Sequence, residues 1–223
     1  MKTLTLLLWA MALFLSGCAS GQGKAKLPYD AWGIAVFAPE HMEVWIESVD
    51  VIDQRGLVFE QVYAGVGSIG NPPHKNGQPT GWQKTPGGSS KSISGVDLPE
   101  FIFVRWQSLV EPQTYNVRIK VPEWVREAMV TKKQPVCPWQ SDWGKNLPSF
   151  GYYDNITIGL APGGIAKVWL SGGCLETLEI GRFEGAVSKK GPSQGKNEGR
   201  YAYPPSQEAE AYIKQFGIPY GSW

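Results

Sequence analysis

Histidine is scarce in this chain. His41 and His74 are the only two in 223 residues, and neither sits in an HxxxH or CxxC spacing. That argues against a protein-held metal, which needs three or four converging N, S or O ligands. It also leaves a serine hydrolase short of bases, and no G-x-S-x-G elbow is present. Charge of one sign is not in excess: 21 Lys+Arg face 20 Asp+Glu. A nucleic-acid binder would need a basic surplus to displace counterions from phosphates. No apolar run reaches the roughly 20 residues of a membrane-spanning helix. Gly65-Val66-Gly67-Ser68-Ile69-Gly70 fits the spacing of a dinucleotide loop, but Asn71-Pro72-Pro73 follows. Two prolines there forbid the helix whose N-terminus would hold the phosphate. Carboxylates are plentiful, yet nothing singles out the convergent pair that glycoside hydrolysis requires. The expectation is a protein without enzymatic activity, cofactor or metal.

What is present begins at the N-terminus. Lys2 is followed by the uncharged apolar run Leu4 to Leu15, then Ser16, Gly17 and Cys18. Basic, apolar, small, small, Cys is the order of a secretory signal. Leu15-Ser16-Gly17-Cys18 resembles the lipobox of bacterial lipoproteins. The resemblance implies cleavage before Cys18, a diacylglycerol on its thiol and an acyl chain on its new amine. Each buried acyl CH₂ contributes about 0.8 kcal/mol and stable anchoring needs more than one chain, which three chains satisfy. A plain cleaved signal with an incidental cysteine is the alternative. In enteric-type lipoproteins an Asp after the Cys retains the protein in the inner membrane. Here that residue is Ala19, so the resemblance implies the periplasmic face of the outer membrane. Removing Lys2 with the signal leaves the mature charge near zero. The expected division is a signal peptide at 1–17, a small, polar tether at 18–28, and a single β-rich domain at 29–223.

Ten Trp, nine Tyr, 27 Gly and 17 Pro favour strands joined by many turns over a helical bundle. Period-two alternation marks Tyr29 to Ala38, Met42 to Asp53 and Leu57 to Val66, predicting three consecutive strands in an antiparallel meander. Met42, Val44, Ile46 and Ser48 share one face of the second. A strand around Phe101 to Trp106, apolar on both faces and so central, pairs with Tyr115 to Val121. Tyr152 to Leu160, Ile165 to Leu170 and Leu175 to Val187 complete the set. A short helix comes after Pro122, through Trp124, Val125, Ala128 and Met129. A second, capped by Ser206 and stopped by Gly217, aligns Ala209, Tyr212, Ile213 and Phe216. The fold class expected is mostly β: an antiparallel β-sandwich of about eight strands with two short helices.

Three cysteines minus a lipid-bearing Cys18 leave Cys137 and Cys174, an even remainder that reads as one disulfide in an oxidising compartment; two free thiols are the alternative. Two stretches stand out as loops. Residues 67–98 carry Pro72-Pro73, Gly81-Trp82 and a serine cluster, with Lys75, Lys84 and Lys91 the charges ahead of Asp97. Residues 135–150 carry Trp139 and Trp143. Long loops in compact domains are commonly functional, and tryptophan is a typical interface anchor. Trp82, Lys75, Lys84, Trp139 and Trp143 are therefore the candidate partner-binding residues. The alternatives are that Trp82 lies on the protein's own surface and that Trp139 and Trp143 are core residues near a Cys137–Cys174 bridge. Asn155-Ile156-Thr157 matches a glycosylation acceptor but reads as part of a strand.

Leu98-Pro99-Glu100-Phe101-Ile102-Phe103-Val104-Arg105-Trp106-Gln107-Ser108-Leu109, with Tyr115, Val121-Pro122, the upstream Gly81-Trp82 and the lipobox, resembles a family of bacterial lipoproteins catalogued as a domain of unknown function. Members of that family often sit beside phospholipase effectors of the type VI secretion system. The resemblance implies an immunity protein, a periplasmic inhibitor that protects the cell from such a lipase. It covers most of the mature chain, but its motifs are structural and transfer no catalytic residue. An envelope structural lipoprotein, or one that binds carbohydrate or peptidoglycan, is the competing expectation.

Overall fold

The computed structural model describes residues 26–69, 81–82, 86–136 and 150–223. Eleven strands and two α-helices occur among the described residues. In chain order they are β1 (Ala31–Ala38), β2 (Val44–Asp53), β3 (Val58–Val66), β4 (Ser68–Ile69), β5 (Ser90–Ser94), β6 (Pro99–Ser108), β7 (Gln113–Lys120), α1 (Glu123–Val130), β8 (Asn155–Ala161), β9 (Ile165–Ser171), β10 (Leu178–Glu184), β11 (Ala186–Val187) and α2 (Gln207–Phe216). One sheet runs β10-β9-β8-β1-β4, with β5 also on β1; the other runs β11-β7-β6-β2-β3. The mostly-β sandwich expected from the sequence is what forms. Trp32, Ile34 and Val36 of β1 and Ile156 and Ile158 of β8 share one core with Ile46 and Val49 of β2 and Ile102 and Val104 of β6.

Three expectations are corrected. The first three strands are not a meander. β2 pairs antiparallel with β3 and β6, whereas β1 lies in the other sheet, parallel to β8. The cause is burial: from Trp32 to Ala38 every residue of β1 is buried. A strand apolar on both faces needs cover on both, which the middle of a mixed sheet supplies. Second, the stretch expected as one strand from Leu175 to Val187 is two. At Gly185 the chain leaves the first sheet for the second. A Cβ there would stand 2.8 Å from the Trp106 ring and 3.0 Å from the Gly164 carbonyl oxygen, so the crossing needs glycine. Third, the long loop contains structure: its serine run forms β5, paired with β1 from Ala31↔Ser94 to Ala35↔Ser90.

The sandwich has two poles. The chain enters at one, where Leu27 and Tyr29 pack against the core. The starts of β1, β6 and β8 and the ends of β2, β7 and β9 meet there, tied by Gln54 N–H to the Leu98 carbonyl (3.0 Å), Gly33 N–H to the Asp154 carbonyl (2.7 Å) and Val121 N–H to the Glu100 carbonyl (2.9 Å). α1 closes this pole, burying Val125 and Met129. At the far pole the C-terminus closes the sandwich. Trp223 packs with Met42, Ala161 and Ile165 and donates its indole N–H to the Pro162 carbonyl at 2.9 Å. Ser206 caps α2 as expected, accepting from Ala209 N–H. Phe216 departs from expectation: it is exposed and lies tilted against Tyr212, 5.0 Å between ring centres, instead of joining the core.

Candidate functional site

A bulge in β2 builds a concavity on the outer face of the second sheet. Strict alternation from Val44 would turn Ser48 inward. Instead the pairing with β6 slips between Ile46 and Ser48. Glu47 and Ser48 then both face outward, and Val49 and Val51 return to the core. An extra residue in one strand re-aims side chains in this way. β3 is irregular opposite: Val49 pairs with Tyr63 and Val51 with Phe59, so residues 60–62 face Asp50 alone. Gln61 accordingly takes φ 53°, and its N–H donates to Asp50 Oδ1 at 2.7 Å. A non-glycine residue in the left-handed region is uncommon and marks a held geometry.

The result is a hollow of about 550 Å³ on the outer face of the second sheet, lined by Trp45, Glu47, Asp50, Glu60, Arg105 and Lys196 among others. Its upper wall is a strap, residues 188–206, that returns across the sheet. The strap is latched by backbone N–H groups. Ser193 N–H donates to Glu47 Oε1 (2.5 Å), Ala202 N–H to Gln107 Oε1 (2.8 Å) and Ser206 N–H to Glu43 Oε2 (2.8 Å). Gln107 Nε2 also donates to Glu47 Oε1, at 2.9 Å. The Tyr203 ring meets Trp45 edge-on at 6.0 Å; burial and the Glu43 carboxylate hold its phenol above the ordinary range. Ser193 and Gln194, at φ 51° and 56°, complete a rim of strained backbone.

Chemically the hollow mixes signs. Glu47, Asp50 and Glu60 face Arg105 and Lys196. Arg105 Nε comes only within 4.0 Å of Glu47 Oε2, so its planar fork of donors stays available on the floor. An aromatic wall, amide and hydroxyl groups and a guanidinium suit a polar, hydroxylated or zwitterionic group. Glu47 is the keystone of the latch. Glu47→Ala leaves the Ser193 N–H and Gln107 amide without their acceptor. We expect a loss of about 1–3 kcal/mol and faster hydrogen exchange at Ser193, with β8 and β9 amides unchanged. Unaltered exchange at Ser193 would show that the strap is held otherwise.

Trp82 lies on the opposite side of the sandwich. It does not project as an anchor. Its indole is half-buried on the outer face of the first sheet, edge-on to Phe37 at 5.6 Å and to Trp169 at 5.4 Å. Glycine makes the seat: a methyl at Gly159 would collide with the Trp82 ring edge and stand 3.0 Å from Trp169. We expect Gly159→Val to evict Trp82, cost about 1–3 kcal/mol and speed proteolytic cleavage near residue 82. Cleavage at the wild-type rate would contradict that seat. Lys75, Lys84, Trp139 and Trp143 lie outside the described residues, as do Cys18 and Cys137. Cys174 is disulfide-bonded. Val136 N–H donates to its carbonyl at 2.6 Å, which brings the residue before Cys137 alongside it.

The structure therefore does not join Trp82 to the hollow, and the hollow's own residues were not singled out from sequence. The one available signal was the break in β2 parity between Ile46 and Val49. Two other residues marked in the sequence have partners within the fold. Asn155 opens β8, accepting from Ser90 Oγ at 2.5 Å and donating to Thr157 Oγ1 at 3.0 Å. His41 stacks on Tyr212 at 4.2 Å, beside Glu40.

A family model described as a protein of unknown function (DUF2931) matches residues 19–221. No curated protein and no solved structure matches the chain.

Proposed function

This chain belongs to the DUF2931 family, and from that premise we propose that it is an outer-membrane lipoprotein of the periplasmic face that acts by binding. Its proposed partner is a phospholipase effector of the type VI secretion system, which it inhibits by occlusion as an immunity protein. The observation that carries this reading is an arrangement of the chain. The family-matched domain begins at residue 19, one residue after the cysteine of Leu15-Ser16-Gly17-Cys18. The matched region thus starts directly after the proposed acylation site and takes in the expected tether. Occlusion requires a rigid body with a presentable face, and a two-sheet sandwich with a large central core and a second cluster at its far pole suits it. The accessible edge of the seated Trp82, with Lys75, Lys84, Trp139 and Trp143, forms the proposed contact set.

Co-expression tests the proposal. A neighbouring lipase gene product targeted to the periplasm should kill cells lacking this protein and spare cells that make it. Equal killing in both would overturn the inhibitor role.

The hollow on the second sheet favours a second reading, a lipoprotein that holds an envelope glycan or its peptide. Trp45 offers an apolar ring face, and Arg105, Asp50 and Glu60 offer partners for hydroxyl, carboxylate and ammonium groups. Sedimentation with purified peptidoglycan that falls at least fivefold in Arg105→Ala supports it; equal sedimentation of the two proteins removes it.

A further inference from the structure

We propose that the entry pole of the sandwich rests on the lipid surface, so that the domain is seated on the membrane through a built-in patch of exposed apolar and aromatic side chains, in which Lys132 and Lys133 offset Glu123 and Glu127. This inference rests on the lipid-anchor reading of Cys18 and adds to it an orientation.

Nine large apolar side chains are exposed among the described residues, and four of them cluster in one part of the fold: Trp124 and Val130 of α1, Val136 and Phe150. They stand at 41%, 43%, 61% and 43% exposure. Single exposed apolar residues need no explanation, but a group on one pole does. The connections join Phe150 to the end of α1, and Trp124 stands in the first turn of the same helix. Lys133 and Gly151 bridge backbone to backbone, at 2.9 and 2.8 Å. Lys132 Nζ sits over the Phe150 ring at 4.3 Å. Phe150 meets Tyr152 edge-on at 5.7 Å, and Tyr152 meets Tyr29 at 5.8 Å. Tyr29 is two residues beyond Leu27, where the chain joins the core.

The direction of the chain identifies the occupant. From Leu27 back to Cys18 is nine residues, which span no more than about 30 Å fully extended. The pole that carries the patch is thus the part of the domain held closest to the acyl chains. Its chemistry fits that neighbour. Trp and Tyr favour the headgroup level, where an apolar ring meets a wet edge. Lys132 holds its ammonium over the Phe150 ring, an aromatic–cation pair of the kind that suits the headgroup level. Neither the hollow nor Trp82 is on this pole, so a seated domain leaves both open to the periplasm; Trp139 and Trp143 lie in sequence between Val136 and Phe150, so seating assigns the lipase contact to the Trp82 side.

The test uses the full mature lipoprotein, reconstituted in vesicles of phosphatidylethanolamine and phosphatidylglycerol at about 3:1 whose acyl chains carry bromine. Bromine quenches only tryptophans at the membrane. Quenching of the wild type should exceed that of Trp124→Phe at least twofold, and Val130→Glu should reduce it by a similar factor. Trp124 and Val130 are both partly exposed, so these variants keep the buried face of α1. Intact mass is read on the same samples. An acylated Cys18 with equal quenching in wild type and Trp124→Phe overturns the seating and leaves the anchor standing. An unacylated Cys18 overturns the anchor and the seating together.

Discussion

Replacing Asp53 by alanine is expected to cost about 3–5 kcal/mol, as breaking a buried charge pair does. Its carboxylate is fully buried at the end of β2 and accepts five hydrogen bonds. Arg55 donates three, from its backbone N–H (2.9 Å), Nε (2.9 Å) and guanidinium terminus (2.6 Å). Leu57 N–H (3.2 Å) and Asp97 N–H (3.1 Å) supply the others. The group therefore fixes the β2–β3 turn and pins the crossing chain before β6, while Arg55 reaches on to the Gly95 carbonyl at 2.8 Å. Alanine removes the acceptor and leaves a guanidinium and three backbone N–H groups to find water.

The same group sets an acid limit. Burial alone would raise the Asp53 carboxyl, but the hydrogen bonds from the Arg55 side chain and from the Asp97, Leu57 and Arg55 backbone outweigh it, and the net shift is downward from 3.8. A carboxyl depressed in the folded state contributes stability that is complete above its unfolded value. That contribution is lost as pH falls through the folded value. Chemical denaturation of wild type and Asp53→Ala should therefore differ most above about pH 4 and converge below it. A difference under about 1 kcal/mol at neutral pH would show that the five contacts are replaceable by solvent.

Cys174→Ser is the second large effect expected. We propose Cys137 as the partner of the bonded Cys174, because Val136 already hydrogen-bonds the Cys174 carbonyl. The two positions are 37 apart, and closing a loop of that length stabilises by roughly 3–4 kcal/mol in the chain-entropy model. Cys137→Ser should match Cys174→Ser, and reduction of the wild type should reproduce both. Non-reducing peptide mass mapping checks the pairing directly. A linked peptide joining Cys174 to any other cysteine, or variants as stable as the wild type, would contradict it.

Alternation revealed β7, which buries a single face, while β8 and β9, buried on both faces, read as short apolar runs bounded by Gly-Gly turns. β6 read as central because Phe101 and Phe103 sit opposite its core residues, and it does lie between β2 and β7. Other features are non-local. The sheet in which β1 sits depends on β8, more than a hundred residues later. The β2 bulge changes no composition; it only shifts the parity of the residues beyond it, so Glu47 and Ser48 read as opposite faces while both turn outward. β5 escaped notice because Ile93 alone is buried in it. The Trp82 seat depends on Gly159, whose missing side chain carries no signal until the two are seen together.

The N-terminus of the mature protein is the most direct place to test the whole scheme. Mass spectrometry of the chain recovered from the outer-membrane fraction should find its first residue to be Cys18, carrying a diacylglycerol on sulfur and an acyl chain on nitrogen. A chain beginning elsewhere, unmodified and recovered in the soluble fraction, would contradict it.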